Sequence, residues 1–158
     1  VAIAEGYEQI AAIFQKTADQ ETEHAEIFFN LLMKYSKSPI NVNADYSVAK
    51  GSTLDNLKYS VAGEKEEANE IYKTFAEEAE NEDVKHAFTL ISMIEANHAK
   101  RFNALLNNVK DGAVFKKKFV VPWECRNCGH IHIGDSALAV CPVCGFSKAF
   151  AEMESKNY

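Results

Sequence analysis

Apolar residues recur at alternating steps of three and four in three stretches of the chain, the spacing that places side chains on one face of an α-helix. Polar and turn-forming residues separate the stretches. The pattern therefore predicts three long amphipathic helices, at about residues 7–35, 57–80 and 84–109. The apolar face of the second helix is expected to comprise Leu57, Val61, Glu64, Ala68, Ile71 and Phe75.

Each predicted face carries a pair of residues that a hydrophobic core does not normally accept. The pairs are Glu21 with His24, Glu64 with Glu67, and Glu95 with His98. One Glu-x-x-His in a charge-rich helix usually belongs to a solvated face. Three pairs in register on core faces have a different meaning, because burying unpaired carboxylates is energetically costly and a cation must offset their charge.

Carboxylate oxygen and imidazole nitrogen together suit iron, manganese or zinc rather than a metal that selects thiolates. Two metal ions would balance the charge of four clustered carboxylates. We therefore expect a dinuclear metal site in the core of a helical bundle.

The four cysteines form two CxxC motifs that are separated by 12 residues. They are Cys125, Cys128, Cys141 and Cys144. Gly129 and Gly145 follow the two motifs, where a left-handed backbone can turn amide groups toward sulfur. This spacing favours a four-thiolate site for iron or zinc, which spacing alone does not distinguish. Two disulfides are the alternative for a secreted protein.

The composition suits a cytoplasmic protein with one bundle and one small module. The chain has 158 residues, of which 47% are hydrophobic. No apolar run has the length of a membrane span, and the formal net charge of −6 argues against a nucleic-acid surface. The one basic run, residues 116–118, fits a solvated linker or a docking point for an acidic partner protein.

The expected organisation is a helical domain at residues 1–115, a linker at 116–122 and a cysteine-bearing domain at 123–158. Gly6 separates the first five residues, which we interpret as the tail of another helix, from the first predicted helix. Because a four-helix bundle needs a fourth member, we expect an upstream helix of about 20 residues, roughly 30 Å long, that brings another inward Glu.

The order of these motifs resembles that of the rubrerythrins. In that family a ferritin-like bundle with Glu-x-x-His, Glu-x-x-Glu and Glu-x-x-His precedes a rubredoxin-like CxxC-x12-CxxC module. The resemblance implies an all-α ferritin-like four-helix bundle, three helices of which are complete in this chain, followed by a small β/knuckle domain. The implied di-iron ligands are Glu21, His24, Glu64, Glu67, Glu95 and His98, and the implied ligands of one further iron are Cys125, Cys128, Cys141 and Cys144.

The resemblance also implies an activity, the reduction of hydrogen peroxide to water with electrons relayed through the four-cysteine iron centre. Glu67 and His24 match the family positions that exchange at one iron on oxidation. Tyr72 resembles a tyrosine close to the dinuclear site, although simple core packing explains it equally well. The implied partners are an electron donor, such as rubredoxin or an NAD(P)H-dependent reductase, and a second copy in a homodimer, in which the chains could exchange helices.

Two other function classes remain open. A ferroxidase or iron-storage protein would use the same bundle but would not need an electron-transfer module. A binding module with a structural zinc ribbon would need the cysteines but not the buried Glu and His pairs.

Overall fold

The computed structural model describes residues 1–36, 38–43 and 51–157, and most of this chain is helical. A π-helical turn, Glu67–Ile71, joins the second and third α-helices. All three helical stretches predicted from the sequence are confirmed. The α-helices are α1 (Glu8–Tyr35), α2 (Thr53–Glu66), α3 (Tyr72–Glu78) and α4 (Glu82–Lys110). Across the described ranges, no helix combines the length and hydropathy that a membrane crossing requires.

Helices α1 and α4 are antiparallel, as their contacts at both ends demonstrate. Near the end of α1, Lys34 Nζ lies 2.6 Å from Oδ2 of Asp83, which belongs to the first turn of α4. In the first half of α1, Thr17 accepts a hydrogen bond from Arg101, which lies in the second half of α4. The middle of each helix therefore faces the middle of the other.

The α2–α3 unit also runs antiparallel to α4. Glu64 in α2 contacts His98, and Tyr72 in α3 stacks on Phe88, which lies ten residues before His98 in α4. Helices α1 and α2 consequently run in the same direction.

Because α1 and α2 run in the same direction, the end of α1 and the start of α2 lie at opposite ends of the bundle. Residues 37 and 44–50, which lie between these helices in the sequence, are outside the described residues. The connection ends at Ser52, whose hydroxyl accepts a hydrogen bond from the Asp55 amide and so caps α2.

The π-helical turn changes which residues face the core after it. Up to Ala68, the buried positions are those that the α-helical period predicts. Beyond the turn, Ala76 is buried and Phe75 is 45% exposed, so the predicted inward position of Phe75 is wrong. A π-helical turn holds more residues than an α-helical turn and therefore shifts the inward face along the sequence.

The first residues pack against one end of the bundle. They form turns rather than helix, and the Tyr7 amide donates to the Ala2 carbonyl at 2.9 Å. Gly6 has a φ of +80°, which suits glycine and lets the chain turn into α1. The apolar cluster at this end consists of Ala2, Ile10, Leu57, Val61, Phe102 and Leu105. The expected upstream helix stays a prediction.

The C-terminal part is a three-stranded antiparallel sheet in the order β2-β1-β3. Its strands are β1 (Lys116–Cys125), β2 (Ile131–Ser136) and β3 (Ala151–Met153). The prediction of a linker at 116–122 is wrong, because these residues belong to β1. Val121 is buried and pairs with Gly134, and Trp123 is buried while its indole N–H donates to the Gly134 carbonyl at 3.1 Å.

The sheet domain packs against the start of α1. The rings of Tyr7 and Phe115 stack with centroids 6.0 Å apart, and Lys148 Nζ lies 5.6 Å from the centroid of the Phe115 ring. The Lys117 ammonium donates to the Ala113 carbonyl at 2.6 Å, so one member of the basic run is engaged in this junction.

Candidate metal centres

Three helices bring the predicted Glu and His pairs together in the middle of the bundle. Glu21 and His24 lie one turn apart on α1, Glu64 lies near the end of α2, and Glu95 and His98 lie one turn apart on α4. All but Glu21 are buried, and Glu95 is fully inaccessible. The antiparallel packing of α4 against its neighbours therefore places the pairs at one level of the bundle.

Three carboxylates surround one imidazole nitrogen. His98 Nδ1 lies 2.9 Å from Glu95 Oε2, 3.0 Å from Glu21 Oε1 and 3.3 Å from Glu64 Oε2. These four residues each offer a ligand atom within 4.8 Å of the other three. Ligands of one metal at bond lengths of about 2.0–2.2 Å lie on the order of 3 Å apart, which is the separation found here.

The same atoms are not aligned to bond to one another. Among the described residues they have no hydrogen-bond partner, although burial without a partner is costly. They are Glu21 Oε1, Glu64 Oε2, Glu95 Oε1, Glu95 Oε2 and His98 Nδ1. Donor atoms that lie close together and converge on shared space fit a bound cation, and the donor set of carboxylate and imidazole fits iron.

His24 marks a second metal position beside the first. Its Nδ1 lies 3.0 Å from Glu21 Oε2 and 3.0 Å from Glu95 Oε1. Glu21 and Glu95 thus present one oxygen to His24 and the other to His98. Carboxylates with this disposition can bridge two ions, and the two imidazole rings, with centroids 5.9 Å apart, lie at the two ends.

Glu67 lies beside this cluster rather than within it. It begins the π-helical turn, is half-buried, and is not one of the four residues whose ligand atoms lie within 4.8 Å. Burial raises the pKa of its carboxyl, and the negative charge of Glu21 adds to the effect. Its predicted ligand role stays a prediction.

Tyr72 packs in an aromatic cluster next to the site. Its ring centroid lies 5.7 Å from that of Phe28 and 5.8 Å from that of Phe88. Burial raises the pKa of its hydroxyl, and nearby carboxylates, Glu67 first among them, raise it further. Tyr72 therefore packs against aromatic rings, and its predicted part in the chemistry stays a prediction.

Without a cation the site holds protons. Burial raises the pKa of Glu95 to about 8 and that of Glu64 to about 7, and the charge of Glu21 contributes to both shifts. Metal binding at neutral pH therefore displaces protons from these carboxyls.

Gln20 and Arg101, two residues that were not predicted as part of the site, flank it from outside. Gln20 Oε1 lies 3.2 Å from His98 Nε2 and accepts a hydrogen bond from Arg101. A signal was available for Arg101, since it follows His98 by three residues and so shares its helix face. Gln20 gives no such signal, because it lies at the edge of the apolar stripe of α1.

The four cysteines form a second centre in the sheet domain. Sγ of Cys125 lies 3.7 Å from that of Cys144, and Sγ of Cys128 lies 3.6 Å from that of Cys141. Sulfurs bound tetrahedrally at about 2.3 Å from a metal are about 3.8 Å apart, so the geometry fits a four-thiolate site. The thiols are free, and the disulfide alternative is therefore wrong.

The backbone at each CxxC motif is turned toward the sulfurs. Gly129 and Gly145 have φ values of +75° and +74°, as predicted for positions that need a left-handed backbone. Beyond Gly145 the Phe146 amide donates to the sulfur of Cys144, which lowers the pKa of that thiol to about 6. At Cys144 the backbone thus favours the thiolate that a metal requires.

Fold and sites together define a di-iron carboxylate protein with an attached four-cysteine module. Known families match both parts. Residues 2–51 and 55–124 match the family described as "Rubrerythrin", and residues 123–150 match "Rubrerythrin, rubredoxin-like domain". The chain belongs to the rubrerythrin family. It carries the Glu/His di-iron site and the four-cysteine rubredoxin-like site of that family, as its sequence predicts.

Individual relatives agree with this assignment. The chain is 41% identical over 162 residues to rubrerythrin of Porphyromonas gingivalis, an alignment that covers 100% of this chain and 80% of the relative. It is 42% identical to rubrerythrin-1 of Clostridium acetobutylicum, covering 98% and 82%. A solved structure, "Fully reduced state of nigerythrin (all ferrous)", is similar with a TM-score of 0.61 and 28% identity, covering 97% of this chain and 74% of that one.

Substitutions in the two centres should have separate effects on metal content. We expect Glu64→Ala and Glu95→Ala to remove the dinuclear iron, from three iron ions per chain to about one, because each deletes a buried ligand atom. Cys141→Ser should instead abolish the red thiolate-to-iron absorption and leave the bundle iron in place. Iron analysis and visible spectra of the purified variants measure both effects.

The exposed Glu66, two residues from Glu64, provides the matched control. Glu66→Ala should keep all three iron ions. Native iron content in Glu64→Ala and Glu95→Ala, or loss of both centres in every variant, would contradict the assigned ligands and the division into two modules.

The metal-free protein should lose stability as the pH rises. Glu95 has an ordinary pKa of 4.5 and a pKa of about 8 in the fold. A carboxyl whose folded pKa is raised stabilises the fold fully below its unfolded pKa, and this contribution is lost as the pH passes through the folded value. We expect metal-free Glu95→Gln to exceed the metal-free wild type in unfolding free energy by up to about 4 kcal/mol at pH 8, since the folded and unfolded pKa values differ by about 3.5 units and one unit corresponds to about 1.4 kcal/mol.

Thermal and urea unfolding at pH 5 and pH 8 measure this difference, which should shrink to below about 1 kcal/mol at pH 5. Glu66→Gln serves as the control and should follow the wild type at both pH values. Parallel pH profiles for the wild type and Glu95→Gln would rule out the raised pKa.

Proposed function

We propose that this protein is a non-haem di-iron peroxidase that reduces hydrogen peroxide to water, using electrons relayed through its four-cysteine iron centre. The overall reaction consumes one peroxide, two electrons and two protons and yields two waters. The observation that carries the proposal is the presence, in one chain, of a dinuclear carboxylate–histidine site and a separate four-sulfur site. Membership of a family of oxidoreductases supports it.

The dinuclear site suits a two-electron reduction. Two bound iron ions would together supply the two electrons that cleavage of the O–O bond requires. The protein contributes the arrangement of the pair, since Glu21 and Glu95 each face both imidazoles. Burial raises the pKa values of Glu64 and Glu95 in the metal-free fold, so bound cations would offset the charge that these carboxylates carry once metal binding has displaced their protons.

We propose that Glu67 and His24 exchange at one metal position, as the family resemblance implies. Glu67 lies beside the cluster in a π-helical turn, a geometry that is frequent at functional sites. Across the described ranges, the Nε2 atom of His24 has no hydrogen-bond partner that would hold its ring from outside. The ring of His24 is therefore not held at Nε2, which would allow it to move in such an exchange. The role of Tyr72 would be to close the site against water with its ring.

Electrons enter through the four-cysteine centre in this proposal. Val140 and Val143 are 57% and 67% exposed beside the second CxxC motif, and Cys128 is exposed in the first. An apolar surface around an accessible thiolate suits brief docking of an electron donor such as rubredoxin or an NAD(P)H-dependent reductase. Four free cysteines suit a reducing compartment such as the cytoplasm.

The four-cysteine module also distinguishes the proposal from its alternatives. A ferroxidase or iron-storage protein has no need of a one-electron centre, and a zinc-ribbon module has no need of the buried Glu and His cluster. Visible spectra discriminate among them, because a ferric four-thiolate site is red and a zinc site is colourless.

The proposed activity predicts a specific pattern in peroxide consumption assays. Iron-loaded wild type should take two electrons from the reductant for each molecule of peroxide that it consumes. Cys141→Ser should lose at least about 90% of the reductant-driven turnover because electrons no longer reach the bundle, and Glu95→Ala should lose turnover as well. Glu66→Ala should retain it. Iron-loaded protein that oxidises and accumulates Fe(II) without consuming reductant would refute the peroxidase proposal.

We further propose that the two centres exchange electrons between the chains of a head-to-tail homodimer. The chain enters the sheet domain after Phe115, whose ring stacks on Tyr7 just before α1. Glu21 lies 14 residues after Tyr7, or roughly 21 Å along α1 at about 1.5 Å per residue. A neighbouring chain docked along the bundle would bring its four-cysteine centre closer than this.

Mixing two inactive variants tests the exchange between chains. Under conditions that allow subunits to exchange, Cys141→Ser and Glu95→Ala should together recover about a quarter to a half of the native peroxidase activity, since one intact pair of centres forms in each heterodimer. Mass spectrometry of tagged chains verifies that heterodimers form. Heterodimers without activity above the sum of the parents would exclude transfer between chains.

A further inference from the structure

We propose that Gln20 and Arg101 are positioning residues of the dinuclear site, which together fix the ring of His98 and make the two metal positions unequal. This inference rests on the proposed ligand role of His98. Neither residue reaches the cluster of carboxylates itself.

A chain of hydrogen bonds leads from His98 to the backbone of α1. His98 Nε2 donates to Gln20 Oε1 at 3.2 Å, and Arg101 Nη2 donates to the same oxygen at 3.1 Å. Arg101 Nη2 also donates to Thr17 Oγ1 at 2.6 Å. The Thr17 hydroxyl in turn donates to the Ile13 carbonyl at 3.0 Å. The network therefore ends in the helix backbone, which holds it rigidly.

Arg101 determines which atom of the Gln20 amide faces His98. A guanidinium carries only donors, so the amide must turn its oxygen rather than its NH2 group toward Arg101. That oxygen can accept from His98 only if the proton of the neutral imidazole is on Nε2. Nδ1 then presents its lone pair to the space shared with Glu21 and Glu95. Arg101 thus selects the histidine tautomer that can bind a metal, through Gln20.

The second imidazole has no equivalent support. Across residues 1–36, 38–43 and 51–157, no side chain accepts a hydrogen bond from Nε2 of His24. The guanidinium, which stays charged at all relevant pH values, also lies on the His98 side. The metal position at His98 is therefore braced and close to a fixed positive charge, while the position at His24 has neither feature.

Removing the acceptor should weaken one metal position. We expect Gln20→Leu to lower the Fe(II) affinity of the dinuclear site by about tenfold or more, the range that outer partners of metal-bound histidines typically contribute. Gln20→Glu keeps an oxygen that can accept from both neighbours, and should stay within about threefold of the wild type. Anaerobic Fe(II) titrations of the full chain measure both affinities.

Removing the charge should change the reduction potential. Arg101→Met should lower the midpoint potential of the dinuclear centre, because the oxidised and more positive site loses a repulsive neighbour. We expect about a tenfold change in the one-electron equilibrium, which corresponds to about 59 mV. The midpoint potential of Arg101→Lys should lie closer to that of the wild type than to that of Arg101→Met, since lysine retains the charge. The potential of the four-cysteine centre should not change in either variant.

Gln15 provides a matched control on the same helix. It is exposed and bonds to Asp19 at 2.8 Å, so Gln15→Leu makes the same chemical change away from the site. Circular dichroism and the red absorption of the four-cysteine centre verify that each variant is folded. Native Fe(II) affinity in folded Gln20→Leu, or equal potentials in the wild type, Arg101→Met and Arg101→Lys, would overturn the inference.

A separate variant distinguishes this inference from the proposed ligation. If His98→Ala keeps two iron ions in the bundle, the ligand role of His98 fails, and the positioning role fails with it. If His98→Ala loses iron while Gln20→Leu binds it normally, the ligation stands and the positioning role alone is wrong. Loss of iron in His98→Ala together with weakened binding in Gln20→Leu supports both.

Discussion

The helical part of this protein depends on one electrostatic conflict, the burial of the Glu64 and Glu95 carboxylates in the core beside a third carboxylate, that of Glu21. Glu95 is fully inaccessible, and its oxygens have no hydrogen-bond partner among the described residues. Apolar packing alone does not resolve such a conflict. A pair of cations resolves it, and the orientation of each helix then follows, because each helix must turn its acidic position toward the same point.

The two metal centres bind cations with different ligands. In the bundle, long helices supply oxygen and nitrogen ligands, and a bound metal displaces protons from the carboxyls. In the sheet domain, two tight turns supply thiolates that face backbone amides, such as that of Phe146. The first arrangement offers mixed oxygen and nitrogen ligands, whereas the second offers four sulfurs. This difference matches the proposed division between reaction and electron supply.

Sequence periodicity predicted the helices well because each apolar stripe is long and strictly spaced. Periodicity failed after Ala68, because the π-helical turn shifts which positions face the core and has no signature in the residue composition. The inward position predicted for Phe75 is wrong for this reason. The linker predicted at residues 116–122 is part of β1. Its three consecutive lysines are typical of a solvated segment, whereas the burial of Val121 and Trp123 identifies a strand that packs in the sheet domain. Gln20 was not predicted, because its place at the site depends on a hydrogen bond from Arg101, which is 81 residues away in the chain.

The parallel course of α1 and α2 has a consequence for how the protein folds. Contacts between α1 and α4 join residues such as Gln20 and His98, which are 78 residues apart. Contacts of such long range form slowly, because the loop between them must close first. The complete ligand set needs Glu21 and His24 of α1, so it assembles only after this closure. Tight binding of a redox-active metal consequently requires the completed bundle.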